Sequence, residues 1–121
     1  MALNKIKQGD IWKVNFNPQI GGEITKIRPA IVISSDALIH FDIKIIVPIT
    51  SWQAKFELID WLIVLDEANS QGLQHKSVAN CFQVKSFSTE RFVERLGSVN
   101  KETLMQISLQ LCSLTRPNLL F

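Results

Sequence analysis

Between Asp10 and Val99 the apolar side chains of this chain come in short runs cut by proline, glycine or asparagine, and sustained helical spacing sets in only after Asn100. Short strands with turns between them, followed by one helix, argue for a rolled antiparallel sheet and against helices alternating with parallel strands.

Residues 10–16 alternate Trp12, Val14 and Phe16 against Lys13 and Asn15, the period of a half-buried strand with one face inward. Asn17-Pro18-Gln19-Ile20-Gly21-Gly22 supplies turn chemistry, and the polar stretch to Lys26 reads as an exposed, mobile loop. Arg28-Pro29 opens the run Ala30–Ile33, with the proline tolerable only at a strand start or edge. Residues 43–47 form another strand, closed by Pro48, so that Thr50 and Ser51 fall just beyond its end. Residues 58–65 read as an apolar strand, 66–72 as a loop and 77–87 as extended. Ser88 or Thr89 caps a single helical turn through Glu94, and Leu96–Val99 makes a short closing strand. Asn100 is a good N-cap for a helix in which Leu104, Ile107, Leu111 and Leu114 recur at helical spacing until Pro117. The resulting fold class is mainly β (α+β): a small SH3-like barrel of short antiparallel strands with a C-terminal α-helix.

With 121 residues, of which 46% are hydrophobic and 20% charged, the chain suits a single domain spanning 1–121 with a real core. Lys44 and Pro48 interrupt the longest apolar stretch well short of the roughly 20 residues a membrane helix needs. With no leader-like opening either, the expectation is a soluble, cytoplasmic protein with no membrane partner. Cys81 and Cys112 lack metal-ligand spacing and read as buried thiols. A formal charge of +2 permits a polyanionic partner but is too small to hold one by bulk electrostatics, so any phosphate site must be assembled from distant segments.

Known catalytic signatures are missing: no glycine-rich phosphate loop, no paired metal-binding histidines, no nucleophile elbow. No metal or cofactor is called for. His40, beside a turn, and His75, in a polar loop, read as surface residues without a catalytic role. What remains is a constellation: Gly21-Gly22-Glu23, then Ile27-Arg28-Pro29, then Val47-Pro48-Ile49-Thr50.

In this constellation the chain resembles the MazF/PemK (Kid-like) family of type II toxin–antitoxin endoribonucleases. The similarity begins at Gly9-Asp10-Ile11-Trp12 and runs through Asn17-Pro18, the Gly-Gly-Glu loop, Arg28-Pro29-Ala30-Ile31-Val32-Ile33 and Val47-Pro48-Ile49-Thr50. It continues in Gln83-Val84-Lys85-Ser86 and Leu96-Gly97-Ser98-Val99, covering nearly the whole chain. One departure stands out: Phe82 occupies a position, just before Gln83, where members of the family commonly carry an acid.

The resemblance implies a metal-independent endoribonuclease that cuts single-stranded RNA, with Arg28 and Thr50 holding the scissile phosphate. An adjacent ribose 2′-hydroxyl can attack the phosphorus if brought in line, so the protein need supply only positioning and charge stabilisation. Arg28 offers a planar fork to the phosphate oxygens, and Thr50 and Ser51 add hydroxyl donors. The products would be a 2′,3′-cyclic phosphate and a 5′-hydroxyl. Glu23 reads two ways, as the base that takes the 2′ proton or as a solvated loop carboxylate. For the RNA itself, Trp52, Gln53, Lys55 and Phe56 offer a surface for splayed bases, and Lys26 and Lys85 offer phosphate contacts. Trp12 and Trp61 read as core.

The resemblance further implies a homodimer whose RNA groove is occluded by a cognate antitoxin, with DNA autoregulation only through that antitoxin. Two other readings compete. One is a non-enzymatic gyrase poison on the same barrel, similar to the CcdB group, although the ending Asn118-Leu119-Leu120-Phe121 lacks the aromatic-glycine-isoleucine tail of that group. The other is an inactive barrel that only binds nucleic acid.

Overall fold

The computed structural model describes residues 5–18 and 20–118. Expectations placed on Gln19 in the turn and on Leu119, Leu120 and Phe121 in the tail lie outside the described residues. Eight strands follow one another: β1 (Asp10–Asn15), β2 (Ile27–Val32), β3 (Ile43–Ser51), β4 (Leu62–Leu65), β5 (Ser70–Gln71), β6 (Ser77–Asn80), β7 (Lys85–Ser88) and β8 (Phe92–Val99). The helix α1 (Lys101–Thr115) closes the chain. The strands join in the order β4-β6-β3-β2-β1-β8-β5, with β7 pairing separately with β3, in a nearly closed antiparallel barrel.

Beyond a short strand at Ser70–Gln71 inside the expected loop 66–72 and a 3-10 turn at Cys81–Gln83 inside the expected extended run 77–87, the barrel departs from the strand-by-strand expectation most at three places. First, β1 is buried on both faces. Ile11 and Ile31 join Val47, Ile49, Leu65 and Ile107 in one core cluster, whereas Trp12, Val14, Phe16, Ala30 and Val32 belong to another with Ile46 and Phe92. Period-two alternation marks which face is more apolar, but a curled sheet whose other face is covered by α1 leaves little of β1 to solvent. Second, Pro48 does not end its strand. β3 runs through it to Ser51, with Pro48 opposite Ala30, so Thr50 and Ser51 lie inside β3 rather than beyond it. Third, residues 58–61 are not strand. Leu58 is 92% exposed and Trp61, expected in the core, is 37% exposed. The apolar composition that suggested a strand there serves a turn ahead of β4, because only Leu62–Leu65 find a partner in β6.

The helix forms where its signals lie. Asn100 Oδ1 accepts from Thr103 N at 2.8 Å, Glu102 sits in the first turn, and Ile107, Leu111 and Leu114 pack on the Ile11 cluster. Burying an isoleucine such as Ile107 contributes about 1.5–3 kcal/mol, which is what docks the helix. Ser88 caps a short turn at Thr89–Arg91, and β8 then begins earlier than Leu96. Cys81 is buried as expected, but Cys112 is exposed on the outer side of α1.

Candidate active site

The site is built where β2 and β3 part. Their ladder pairs Val32 with Ile46, Ile31 with Val47 and Ala30 with Pro48, and ends there. Two steps further in the same register, Arg28 stands opposite Thr50. Neither Pro29 nor Pro48 has an N–H to give, so little holds the strands together at that end. β3 changes partner instead, setting Thr50 against Val78 and Ser51 against Ser77 of β6. A gap opens in the sheet with an arginine on one lip and two hydroxyls on the other.

Two cavities meet at this gap. One, of about 320 Å³, is lined by Arg28, Thr50 and Ser51 together with Lys13, Gln74 and His75 among others. The other, of about 440 Å³, is lined by the same three residues with Glu23, Ile24, Thr25, Gln53 and Phe56. Arg28, Thr50 and Ser51 are thus common to both. The first cavity has Lys13 and Arg28 and no carboxylate in its lining, a composition suited to an anion.

Arg28 is anchored by a single bond, Nε donating to Thr25 O at 3.0 Å. Among the described residues its two terminal nitrogens have no protein acceptor, and neither the Thr50 nor the Ser51 hydroxyl has a partner. A guanidinium held by its Nε and open at its fork, facing hydroxyl donors, is an arrangement for binding phosphate oxygens.

Glu23 lines the second cavity but is engaged. Its Oε2 meets Lys85 Nζ at 3.1 Å and its Oε1 accepts from Ile20 N at 3.2 Å. Asn17, Pro18, Ile20–Glu23 and Lys26 are exposed as expected, but Ile24 packs against the core and the loop is pinned. Gln83 Oε1 accepts from Ile24 N, Asn17 Oδ1 accepts from Lys26 N, and Arg91 Nη1 donates to the carbonyls of Asn15 and Asn17.

The remaining candidates are scattered. Gln53 lines the Glu23 cavity. Lys26 is exposed at the entry to β2 with a positive φ of 70°, outside both linings. The Trp52 ring is covered by Lys76, whose Nζ lies 4.3 Å from its centroid, and Lys55 folds over Phe56 at 5.6 Å. Lys85 is committed to Glu23. Phe82 is 67% exposed and packs its ring 5.6 Å from that of Trp61. His40 is exposed and away from both cavities, whereas His75, read as a bare surface residue, borders the first. The sequence places neither Lys13 nor His75 at the site, because their place depends on the register of β1 with β2 and of β3 with β6. Among the described residues, no cluster of three His, Cys, Asp or Glu side chains is placed to hold a metal ion, and no helix is long and apolar enough to cross a membrane.

A nearly closed barrel with a terminal helix, carrying at a break in its sheet an arginine fork and two hydroxyls without a partner among the described residues, defines a β-barrel with a polar cleft suited to an anion. Residues 7–115 match the family of PemK-like, MazF-like toxins of type II toxin–antitoxin systems, and the chain belongs to that family. It is 32% identical to the endoribonuclease MazF9 of Mycobacterium tuberculosis over 108 residues, spanning 84% of this chain and 89% of that one. It is also 25% identical to the endoribonuclease EndoA of Bacillus subtilis over 112 residues, 88% and 96% of the two chains. The fold is similar to the crystal structure of MazF from Deinococcus radiodurans, with a TM-score of 0.74 at 24% identity, covering 89% and 94%.

Proposed function

We propose that this toxin is an endoribonuclease that cuts single-stranded RNA without a metal ion, at the gap between Arg28 and Thr50. The observation that carries this reading is the pairing of an open guanidinium fork with unpartnered hydroxyls on facing lips of that gap. The curated relatives are endoribonucleases, which supports it. Arg28 and Thr50 hold the scissile phosphate, with Ser51 as a further donor. The ribose 2′-oxygen attacks phosphorus, the bond to the 5′-oxygen breaks, and the ends are a 2′,3′-cyclic phosphate and a 5′-hydroxyl. Charge gathers on the non-bridging oxygens in the transition state, where Arg28 is placed to meet it without reorganising.

Glu23 takes the 2′ proton once RNA displaces Lys85 from its carboxylate, and Lys85 is then free to meet a phosphate. Gln53 reads a base edge in the same cavity, while Lys26, Trp52 and Lys55 guide the flanking nucleotides from outside it. The protein acts in the cytoplasm as a homodimer of single-domain chains, and a cognate antitoxin occludes the groove. DNA autoregulation runs only through that antitoxin. A gyrase-poison role leaves the Arg28–Thr50 arrangement without a purpose.

The test is incubation of purified protein with a long single-stranded RNA in EDTA, with mapping of cut sites and end chemistry. Cuts ending in cyclic phosphate, lost in Arg28→Ala, are expected. Intact RNA with wild-type protein would overturn the reading.

A further inference from the structure

Cleavage by a 2′-hydroxyl needs two proton movements, and the site described so far accounts for one. The 2′-oxygen loses a proton as it attacks; the departing 5′-oxygen must gain one, because an alkoxide is a poor leaving group. In-line displacement puts those two oxygens on opposite sides of the phosphorus. The structure has that two-sidedness. Arg28, Thr50 and Ser51 border two cavities, Glu23 lines one of them, and His75 lines the other.

We propose that His75 is the general acid that protonates the 5′-oxygen leaving group. The inference rests on the ribonuclease reading above and completes its proton balance. The 2′-O–P bond forms as the 2′ proton passes to Glu23, the P–O5′ bond breaks as the imidazolium proton passes to O5′, and His75 is reprotonated from solvent. The other candidates lining its cavity suit the task poorly. Arg28 belongs to a residue type that does not release its proton in proteins, and Lys13 is paired with Glu94 at 2.8 Å. Imidazole is the side chain that exchanges a proton between about pH 5 and 8.

His75 is exposed, but its loop is fixed at both ends. At one end Gly72, at φ +98°, packs so closely on the Leu96 carbonyl that any side chain would collide with it, while Gln71 pairs with Ser98. At the other, Ser77 Oγ donates to His75 O at 2.8 Å and Trp52 N donates to Lys76 O at 3.0 Å. Ser77 pairs with Ser51, so the register of β6 on β3 carries His75 alongside the hydroxyl lip. Among the described residues the imidazole makes no hydrogen bond within the protein, which leaves it open to the groove. The charged groups around it are Lys13 from β1, Arg28 from β2, Lys76 on its own loop, and Asp66 and Glu67 across a third cavity that also borders His75.

The experiment compares two short RNA substrates, one with the natural 5′-oxygen and one with sulfur in that bridging position, whose thiolate departs without protonation. His75→Gln should cut the oxygen substrate roughly 10²-fold or more slowly, yet cut the sulfur substrate within about threefold of wild type. The sulfur result also certifies that the variant is folded. With the oxygen substrate the wild-type rate should fall as pH rises above neutrality, and His75→Gln should lack that limb. Equal losses on both substrates would make His75 a binding residue and overturn the proposal, as would an unimpaired rate on the oxygen substrate. Wild-type protein that cuts neither substrate would remove the ribonuclease reading and this inference together.

Discussion

Glu23 and Lys85, 62 residues apart in the sequence, meet in a 3.1 Å ion pair that ties the glycine-bearing loop to the start of β7. The pair sits beside the cavity that Glu23 shares with Arg28 and Thr50. Its Glu23 end is 45% exposed, so its contribution to stability is about 1 kcal/mol or less. Glu23→Gln should therefore unfold close to the wild-type temperature while its single-turnover cleavage falls by about 10²-fold or more, the usual cost of losing a positioned base. Melting curves and single-turnover rates check both halves. An undiminished rate would return Glu23 to the status of a loop carboxylate.

Arg28 and Thr50 face each other but do different amounts. The guanidinium donates charged hydrogen bonds through a fixed fork, whereas Thr50 offers one neutral donor. Arg28→Ala should bring cleavage to background. Thr50→Ala should retain measurable activity, about 10²–10³-fold down in kcat. Arg28→Lys should recover little, because an ammonium cannot keep the Nε bond to Thr25 O and present a fork as well. Near-normal turnover by Arg28→Lys would mean that charge alone suffices.

Asp10 is a structural carboxylate. It is buried, accepts from Lys7 N at 3.0 Å and Trp12 Nε1 at 3.3 Å, and meets Arg95 Nε at 3.2 Å. Asp10→Ala leaves a buried indole N–H and a backbone N–H without an acceptor, at a cost of about 2–4 kcal/mol. Arg95 is half exposed, and Arg95→Ala should cost about 1 kcal/mol or less. Urea denaturation midpoints of the two variants separate these expectations, and equal losses would contradict them.

The two thiols should behave differently. Burial pushes Cys81 up to about 11, whereas Cys112 is exposed. A disulfide reagent at pH 8 should modify Cys112 in the native protein and reach Cys81 only on unfolding. Because the folded thiol holds its proton above the ordinary value of 9.0, its contribution to stability is full below that pH and lost as pH climbs to about 11. Lys44 works in the opposite sense. Burial lowers its ammonium, with Asp36 opposing that shift, and its contribution improves as pH rises toward the ordinary value of 10.5. Cys81→Ala should accordingly lose less stability than wild type between pH 9 and 11, by roughly 2 kcal/mol. Identical alkaline profiles would refute the buried-thiol account.

The order and kind of the elements were legible in the residues themselves. Asn100 and Pro117 bound the helix, Trp12, Val14 and Phe16 declare a strand, and Arg28 lies at a strand entry because Pro29 follows it. These are local properties, set by side-chain period, capping chemistry and the missing proline N–H, and a chain expresses them before it has partners. The strings around Arg28 and Thr50 likewise pointed to the family in which the chain falls. The tertiary structure alone decided what those residues meet. Pro48 could look like a strand end until Ala30 was seen opposite it, and that pairing carries Thr50 into register with Arg28. Glu23 could look solvated until Lys85 arrived, and His75 could look idle until β6 aligned with β3 and swung its loop against Ser51. Register joins segments that are far apart in sequence, so no window along the chain contains it. A site made by the parting of two strands comes into being only when the barrel closes around it.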